Sequence, residues 1–477
     1  MNEKAKDGAV RITRALEALA IPLLGMLASK VSLASETKEP KDQPNILFII
    51  TDQHHAKMLS SAGNPYLKTR ALDSMAKSGI RFANAYVTNP VCVPSRISMA
   101  TGMMPGRFGV FSNGMKATIP KKVSDNSLGK LIKSGGYDTF YGGKVHMAPE
   151  LVPIKAGYDE FCRDQRDELP KVCIEFMTRK RDKPFFAVAS FINPHDICFA
   201  YNARQPDRKG KPLVDELYKQ AQALPPDKLP PLPKNSEIPE REPEAIEATM
   251  KITATTPANL IRKDYNARDW RNYRWIYCRL TERVDTQIGR LLDALKKNGL
   301  EENTLVVFTS DHGDMDGSHR LASKNVFYEN SAGVPFIMQY KGVIPPSQVD
   351  ENSLVSNGLD IAPTLCDYAG VPAPEYLLGR SLRPVAENQK DNSRRPFVVA
   401  ENNTGRMLRS ARFKYCVYKE GKIRESLVDL RTDPGEMNNL AGQAGFQKHL
   451  NKHREFMKRW IAESKDAEAK AFAIDPN

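Results

Sequence analysis

Asn45-Ile46-Leu47-Phe48-Ile49-Ile50-Thr51-Asp52 is an unbroken apolar run of strand length that stops at a carboxylate. A strand that is apolar at every position, rather than at alternate ones, is covered on both faces, as central strands of parallel α/β sheets are. Thr304-Leu305-Val306-Val307-Phe308-Thr309 repeats the pattern, and one residue, Ser310, separates it from Asp311. Two buried strands thus each deliver a carboxylate just past the C-terminal end, where open α/β sheets place their ligands. Tyr137–Tyr141 and Pro184–Ile192 are two further candidate strands, followed by Lys144 and His146 and by His195.

Between these runs lie helical stretches, the clearest from Tyr273 to Lys297, where Ile276, Leu280, Val284, Ile288, Leu291, Leu292 and Leu295 recur at helical spacing. These are core positions and carry no chemistry. Residues 202–260 differ in composition: the proline-rich Leu224–Pro233 and the charged Glu237–Glu247 read as a surface insertion, with a polyproline ligand as the alternative. Beyond Gly370, Phe397–Ala400, Phe413–Tyr418 and Glu425–Leu430 suggest a small antiparallel sheet, and His449–Ala467 a terminal helix. The expected fold is α/β: a mostly parallel central sheet sandwiched by helices over 44–370, then a smaller C-terminal antiparallel sheet plus helix over 371–477.

A chain of 477 residues with 41% hydrophobic and 27% charged residues has material for full-sized cores, which excludes a lone binding module, bulk disorder and a polytopic membrane protein. Lys+Arg 70 against Asp+Glu 57 gives a net charge of +13, which favours polyanionic partners. Seven scattered cysteines without a C-x-x-C pair exclude a disulfide scaffold and a zinc ribbon. Residues 1–34 carry four basic residues in the first 14, a short apolar stretch from Ala18 to Ser29, and the small-residue site Ser32-Leu33-Ala34. That arrangement reads as a secretory signal peptide, too short to span a bilayer, and implies an exported protein without stable membrane insertion. Its removal leaves a charge of about +11, so the basic character belongs to the mature chain.

Six of the eight histidines (54, 55, 146, 195, 312 and 319) fall just beyond the expected strands or in adjoining loops. Asp52-Gln53 and Asp311-His312 offer mostly oxygen ligands, which suit a hard divalent ion such as calcium. The competing reading makes each aspartate the cap of a following helix. Asp314 and Asp316 follow Asp311 without the spacing or terminal glutamate of an EF-hand.

Cys92-Val93-Pro94-Ser95-Arg96, extended by Thr101-Gly102, resembles the C-x-P-S-R-x-x-x-x-T-G signature of type I sulfatases, in which the cysteine is oxidised to formylglycine. Thr51-Asp52-Gln53, Gly143-Lys144-Val145-His146, Asn193-Pro194-His195, Ser310-Asp311-His312-Gly313 with Lys324, and Asp429–Leu440 follow the family's order, so the resemblance spans about residues 44–462. It implies a fold similar to the alkaline-phosphatase superfamily. It also implies roles: Asp52, Gln53, Asp311 and His312, with modified Cys92, hold one calcium ion; Arg96 orients the formylglycine; Lys144, His146, His195 and Lys324 grip the sulfate or handle protons. Gln53 stands where the family often has a second aspartate, and Val145 where an aromatic residue is common.

The chemistry has its own logic. A sulfate ester repels anionic nucleophiles, so a site that attacks it must first neutralise its oxygens with a metal and cations. A hydrated aldehyde at Cys92 offers one hydroxyl to attack sulfur and a second through which sulfate is expelled. His195 or Lys324 is then placed to protonate the leaving alkoxide, and His146 to take the proton from the second hydroxyl. The implied partners are a sulfated small molecule or glycan and a formylglycine-generating maturation enzyme, with no nucleic acid. The alternatives are a phosphonate monoester or phosphodiester hydrolase of the same superfamily and, from another class, a non-catalytic polyanion-binding protein in which Cys92 stays a buried thiol.

Overall fold

The computed structural model describes residues 43–204, 210–252, 258–389, 395–465 and 468–475; the expected signal segment 1–34 lies outside them. The strands in chain order are β1 (Asn45–Asp52), β2 (Ile80–Phe82), β3 (Ala85–Tyr86), β4 (Asp138–Gly143), β5 (Glu160–Cys162), β6 (Phe185–Pro194), β7 (Thr304–Ser310), β8 (Phe336–Gln339), β9 (Gln348–Asp350), β10 (Val355–Ser356), β11 (Phe397–Glu401), β12 (Gly405–Ser410), β13 (Phe413–Tyr418) and β14 (Glu425–Asp429). The helices used below are α1 (Arg70–Lys77), α2 (Cys92–Thr101), α3 (Leu128–Ser134), α4 (Leu169–Met177), α5 (Ala267–Lys297), α6 (Asn357–Ala369) and α7 (Gln447–Ser464).

The central sheet has the order β5-β4-β6-β1-β7-β8-β2-β9. Every pairing from β5 to β7 is parallel, and β8 alone runs against its neighbours. All eight residues of β1 are buried. Ile46, Phe48 and Ile50 face a core shared with α3 and α6, and Leu47 and Ile49 face a second core shared with α1, α4 and α5. The uninterrupted apolar run at 45–51 is the signature of this double burial.

The insertion is more ordered than its composition suggests. It carries helices at Pro212–Ala223 and Ala245–Ile252, and Val214, Ala221 and Leu229 pack against Trp270, Tyr273 and Ile276 of α5. Prolines supply carbonyls without N–H groups, so a proline-rich strap needs outside donors. Arg268 donates to the carbonyls of Ala221 (3.0 Å), Gln222 (3.0 Å) and Leu224 (2.7 Å), and Arg271 to those of Leu229 and Pro230 (both 3.0 Å). The strap is thereby tied to α5.

The C-terminal part is the antiparallel sheet β11-β12-β13-β14, with α7 packed on it through Leu450, Met457 and Trp460. The sequence reading has three of these strands and lacks β12. In Gly405-Arg-Met-Leu-Arg-Ser410 two arginines break the apolar pattern, yet both are buried: Arg406 lies over Phe472 (4.2 Å) and Arg409 donates to the Tyr86 hydroxyl (2.9 Å).

Candidate active site

β4, β6, β1 and β7 are adjacent and parallel, so their C-terminal ends lie in a row along one edge of the sheet. Register sets the order: Asp52 lies beside Pro194, and Thr51 beside Ser310, which brings Lys144, His195, Asp52 and Asp311 into neighbouring positions. Neither Asp52 nor Asp311 is followed directly by a helix, so the helix-cap reading fails for both.

Cys92 is the first residue of α2. Its Sγ lies 3.2 Å from His312 Nε2, 3.2 Å from Lys324 Nζ and 3.9 Å from Asp52 Oδ1. Burial disfavours the thiolate, but Lys144, Lys324 and His312 outweigh it and hold the thiol well below its ordinary pKa. The side chain is therefore buried yet surrounded by charge, unlike a thiol filling an apolar core.

Arg96, one turn along α2, organises both carboxylates. Its Nε donates to Asp311 Oδ2 (2.7 Å), its Nη2 contacts Asp52 Oδ2 (3.3 Å), and its Nη1 donates to Lys144 O (2.9 Å) and Ser190 Oγ (2.8 Å). Lys144 Nζ takes Asp52 Oδ2 as well. With both Oδ2 atoms occupied, the two Oδ1 atoms face His312 Nε2, at 3.6 Å for Asp52 and 3.5 Å for Asp311. His312 Nδ1 sits 2.9 Å from the carbonyl of Gly313; a proton there leaves Nε2 with a free lone pair. Ligand atoms of Asp52, Cys92, Asp311 and His312 all lie within 4.8 Å of one another, all in buried residues. Two carboxylates, an imidazole nitrogen and the position-92 side chain form a donor set that fits one divalent cation, with Sγ standing where oxygen of an oxidised side chain would be.

Burial and Cys92 push the Asp52 carboxyl up, but Lys144, His195 and Lys324 hold it well below the carboxylate range; burial and the Asp52 charge push Asp311 the other way. Gln53 has φ 65°, which turns its side chain off the strand line. Its Oε1 accepts from Lys324 Nζ (2.9 Å) and Cys198 Sγ (3.3 Å), and its Nε2 donates to Asp314 Oδ2 (2.7 Å).

Lys144, His146, His195 and Lys324 line one cavity of about 830 Å³ that opens beside Cys92. Burial and Lys324 push His195 down to about 4, while its Nε2 stays 4.0 Å from Asp52 Oδ1. The other three strand-end histidines serve packing. His54 Nε2 pairs with the Met58 carbonyl (2.7 Å), His55 lies 3.7 Å from Asp316, and His319 stacks on Tyr328 at 3.8 Å. The sequence reading missed Ser190, Cys198 and Asn113. Asn113 accepts the Val93 N–H (3.0 Å) and approaches Cys92 Sγ (3.9 Å). No spacing in the chain marks that position; Cys198, three residues past His195, was within reach.

A parallel sheet with a metal-type donor set, a potential nucleophile at a helix N-terminus and a rim of cations defines a hydrolase of anionic esters. Comparison with known proteins makes this specific. The sulfatase family matches residues 44–371, and the C-terminal region of N-sulphoglucosamine sulphohydrolase matches residues 317–463. A Δ4,5-hexuronate-2-O-sulfatase of Bacteroides thetaiotaomicron is 29% identical over 91% of this chain and 92% of its own. A solved 2-O GAG sulfatase superposes with a TM-score of 0.77 at 28% identity, covering 91% of this chain and 95% of its own. The phosphonate monoester hydrolase of Agrobacterium radiobacter shares the fold, with a TM-score of 0.70 at 21% identity over 88% of this chain and 96% of its own. This chain belongs to the sulfatase family, and its reaction is hydrolysis of a sulfuric ester.

Proposed function

We propose that the protein removes sulfate from a sulfated carbohydrate, using formylglycine formed at Cys92 by a maturation enzyme and one calcium ion. The observation that carries this is the convergence of Cys92 with Asp52, Asp311 and His312, enclosed by Arg96, Lys144 and Lys324. The relatives named for action on hexuronate and on GAG supply the carbohydrate class.

Asp52, Gln53, Asp311 and His312, with the modified residue 92, would hold the cation; Gln53 Oε1 accepts from Lys324 Nζ (2.9 Å). When bound, calcium supplies positive charge against the oxygens of the ester and of residue 92. The hydrated aldehyde supplies an oxygen nucleophile and a second hydroxyl through which sulfate leaves without water attacking sulfur. Lys144 and Lys324 neutralise the sulfate oxygens; burial opposes their charge, but the neighbouring acidic groups keep both ammonium groups protonated. Arg96 fixes the carboxylates and the start of α2. His195 or Lys324 would protonate the leaving alkoxide, while His146 would accept the proton of the second hydroxyl. The N-terminal segment directs export; among the described residues no helix is long and apolar enough to cross a membrane.

The test is simultaneous measurement of sulfate and phosphate released from sulfated glycan fragments, an aryl sulfate and matched phosphodiesters, with the Cys92 peptide mass recorded for the same preparation. Sulfate release that requires the modified residue and is abolished by chelation is expected. Phosphate without sulfate would move the chain to the phosphonate and phosphodiester branch.

A further inference from the structure

The row of strand ends extends one strand beyond the sulfate pocket. β5 is the outermost of the five parallel neighbours β5-β4-β6-β1-β7, and Arg163 follows its last residue, Cys162. Arg163 lines the same cavity as Lys144, His146, His195 and Lys324, and among the described residues that cavity is lined by no aspartate or glutamate. Acidic residues beside it in sequence, and the one beside cavity-lining His195, have other partners. Asp164 Oδ1 accepts the N–H groups of Arg166 (2.9 Å), Glu168 (3.0 Å) and Leu169 (3.0 Å), Glu160 pairs with Arg179 (2.6 Å), and Asp196 is gripped by Arg166 at 2.8 and 2.9 Å. Arg163 is therefore an exposed cation on the cavity lining, and among the described residues no carboxylate pairs with it.

Position gives this a meaning. β5 lies three strands from β1, so at about 4.8 Å per strand the backbone carrying Arg163 is roughly 14 Å from that carrying Asp52. Lys324 Nζ lies 3.2 Å from Cys92 Sγ and Lys144 Nζ pairs with Asp52, so these two cations belong to the scissile sulfate. The space toward Arg163 has one apolar wall, with Ile154 61% exposed and Phe161 half-buried. An apolar wall facing an unpaired guanidinium suits the face of a sugar ring that carries a second negative group.

Resting on the sulfatase reading above, we infer that Arg163 is a specificity-determining residue that pairs with a second anion of the substrate, a uronate carboxylate or another sulfate, about one sugar residue from the ester that is cleaved. The planar guanidinium accommodates either anion through two parallel hydrogen bonds.

The experiment follows sulfate release by the matured protein from four esters. They are a monosulfated disaccharide containing a uronate, the same disaccharide with its carboxyl reduced to the alcohol, a disulfated disaccharide lacking carboxylate, and nitrophenyl sulfate. Arg163→Gln is expected to lose about tenfold to thirtyfold in kcat/KM on one of the two doubly anionic sugars, mainly through KM. On the reduced sugar and the aryl sulfate it stays within about twofold of the parent, and Arg163→Lys recovers part of the loss. Which doubly anionic sugar responds names the anion. Equal losses on all four esters, or none on either doubly anionic sugar, overturn the inference while leaving the sulfatase reading intact. No sulfate from any ester overturns the reading of the reaction, and the inference with it.

Discussion

Arg96 shows how much one side chain can be asked to do. It is 2% exposed and lies between two carboxylates that are themselves fully buried, so its removal leaves uncompensated charge in the interior. Arg96→Met is expected to cost about 3–5 kcal/mol in urea unfolding, the usual consequence of breaking a buried ion pair from one side. Arg96→Lys should recover little activity, since a point charge cannot reach both Oδ2 atoms, Lys144 O and Ser190 Oγ together. The metal site has its own reading in stability. A cation that binds only the folded chain adds about 2.7 kcal/mol at a hundredfold excess over Kd, so calcium should raise the melting temperature and chelation lower it. Asp311→Asn is expected to abolish that response; an undiminished calcium shift in the variant would remove Asp311 from the ligand set. At this scale the sequence is informative where chemistry needs a particular residue type after a strand, as at Asp52, Lys144, His195 and Asp311. It is silent where the fold recruits a residue from elsewhere, as with Asn113 or Ser190. His54, His55 and His319 share the strand-end setting of the catalytic candidates, and only tertiary contacts separate them.

Between elements, the clearest device is the start of α1. Its cap position, Thr69, makes no side-chain cap hydrogen bond, and the exposed N–H groups of Ala71 and Leu72 are taken by Asp285 of α5 at 3.1 and 2.9 Å. Burial nevertheless outweighs these hydrogen bonds and pushes the Asp285 carboxyl up from 3.8 to about 6. The native state then holds a proton that the unfolded chain has lost between about pH 4 and 6, so this contribution to stability is present at low pH and fades as pH rises through 6. Two units correspond to about 3 kcal/mol. Urea unfolding of the parent and Asp285→Asn should therefore show a gap that shifts by about this amount between pH 4 and 7, with the parent relatively stronger in acid. A pH-independent gap would mean that the carboxylate is already ionised at pH 4. Periodicity reveals α5 and the β1 and β7 strands because their burial is uniform along one face or both. It does not reveal β12, where burial is achieved by pairing arginines with aromatic groups, nor the helices of the insertion, whose packing depends on α5.

At the level of the whole molecule, the small sheet reaches the active site through the segment that carries Lys324. Lys324 sits on the segment between β7 and β8, and two hydrogen bonds from the small-sheet region hold the residues after it. Asn402 Nδ2 donates to Asn325 O (2.7 Å), and Lys414 Nζ of β13 donates to Phe327 O (2.8 Å). Lys414 is 2% exposed and also pairs with Glu329 (2.8 Å) and Glu436 (2.5 Å), so one buried ammonium joins the sheet, the Lys324 segment and the loop after β14. No pattern in the sequence announces this, because the three residues are widely separated in the chain and each is an ordinary surface type. Lys414→Met takes the ammonium partner from buried Glu436 and half-buried Glu329, whose remaining partners are the Glu329 N–H and the Tyr86 hydroxyl, and is expected to cost about 3 kcal/mol. Adding Glu329→Gln and Glu436→Gln removes the stranded charges and should recover a large part of that stability. It should not recover activity, because the Phe327 carbonyl still lacks its donor and the segment presenting Lys324 is no longer fixed. The triple variant, assayed well below its melting temperature, is therefore expected to show a several-fold fall in kcat/KM although most of the lost stability is restored. Parental kcat/KM in that variant would show that the Lys324 segment holds its place unaided and that the small sheet contributes stability alone.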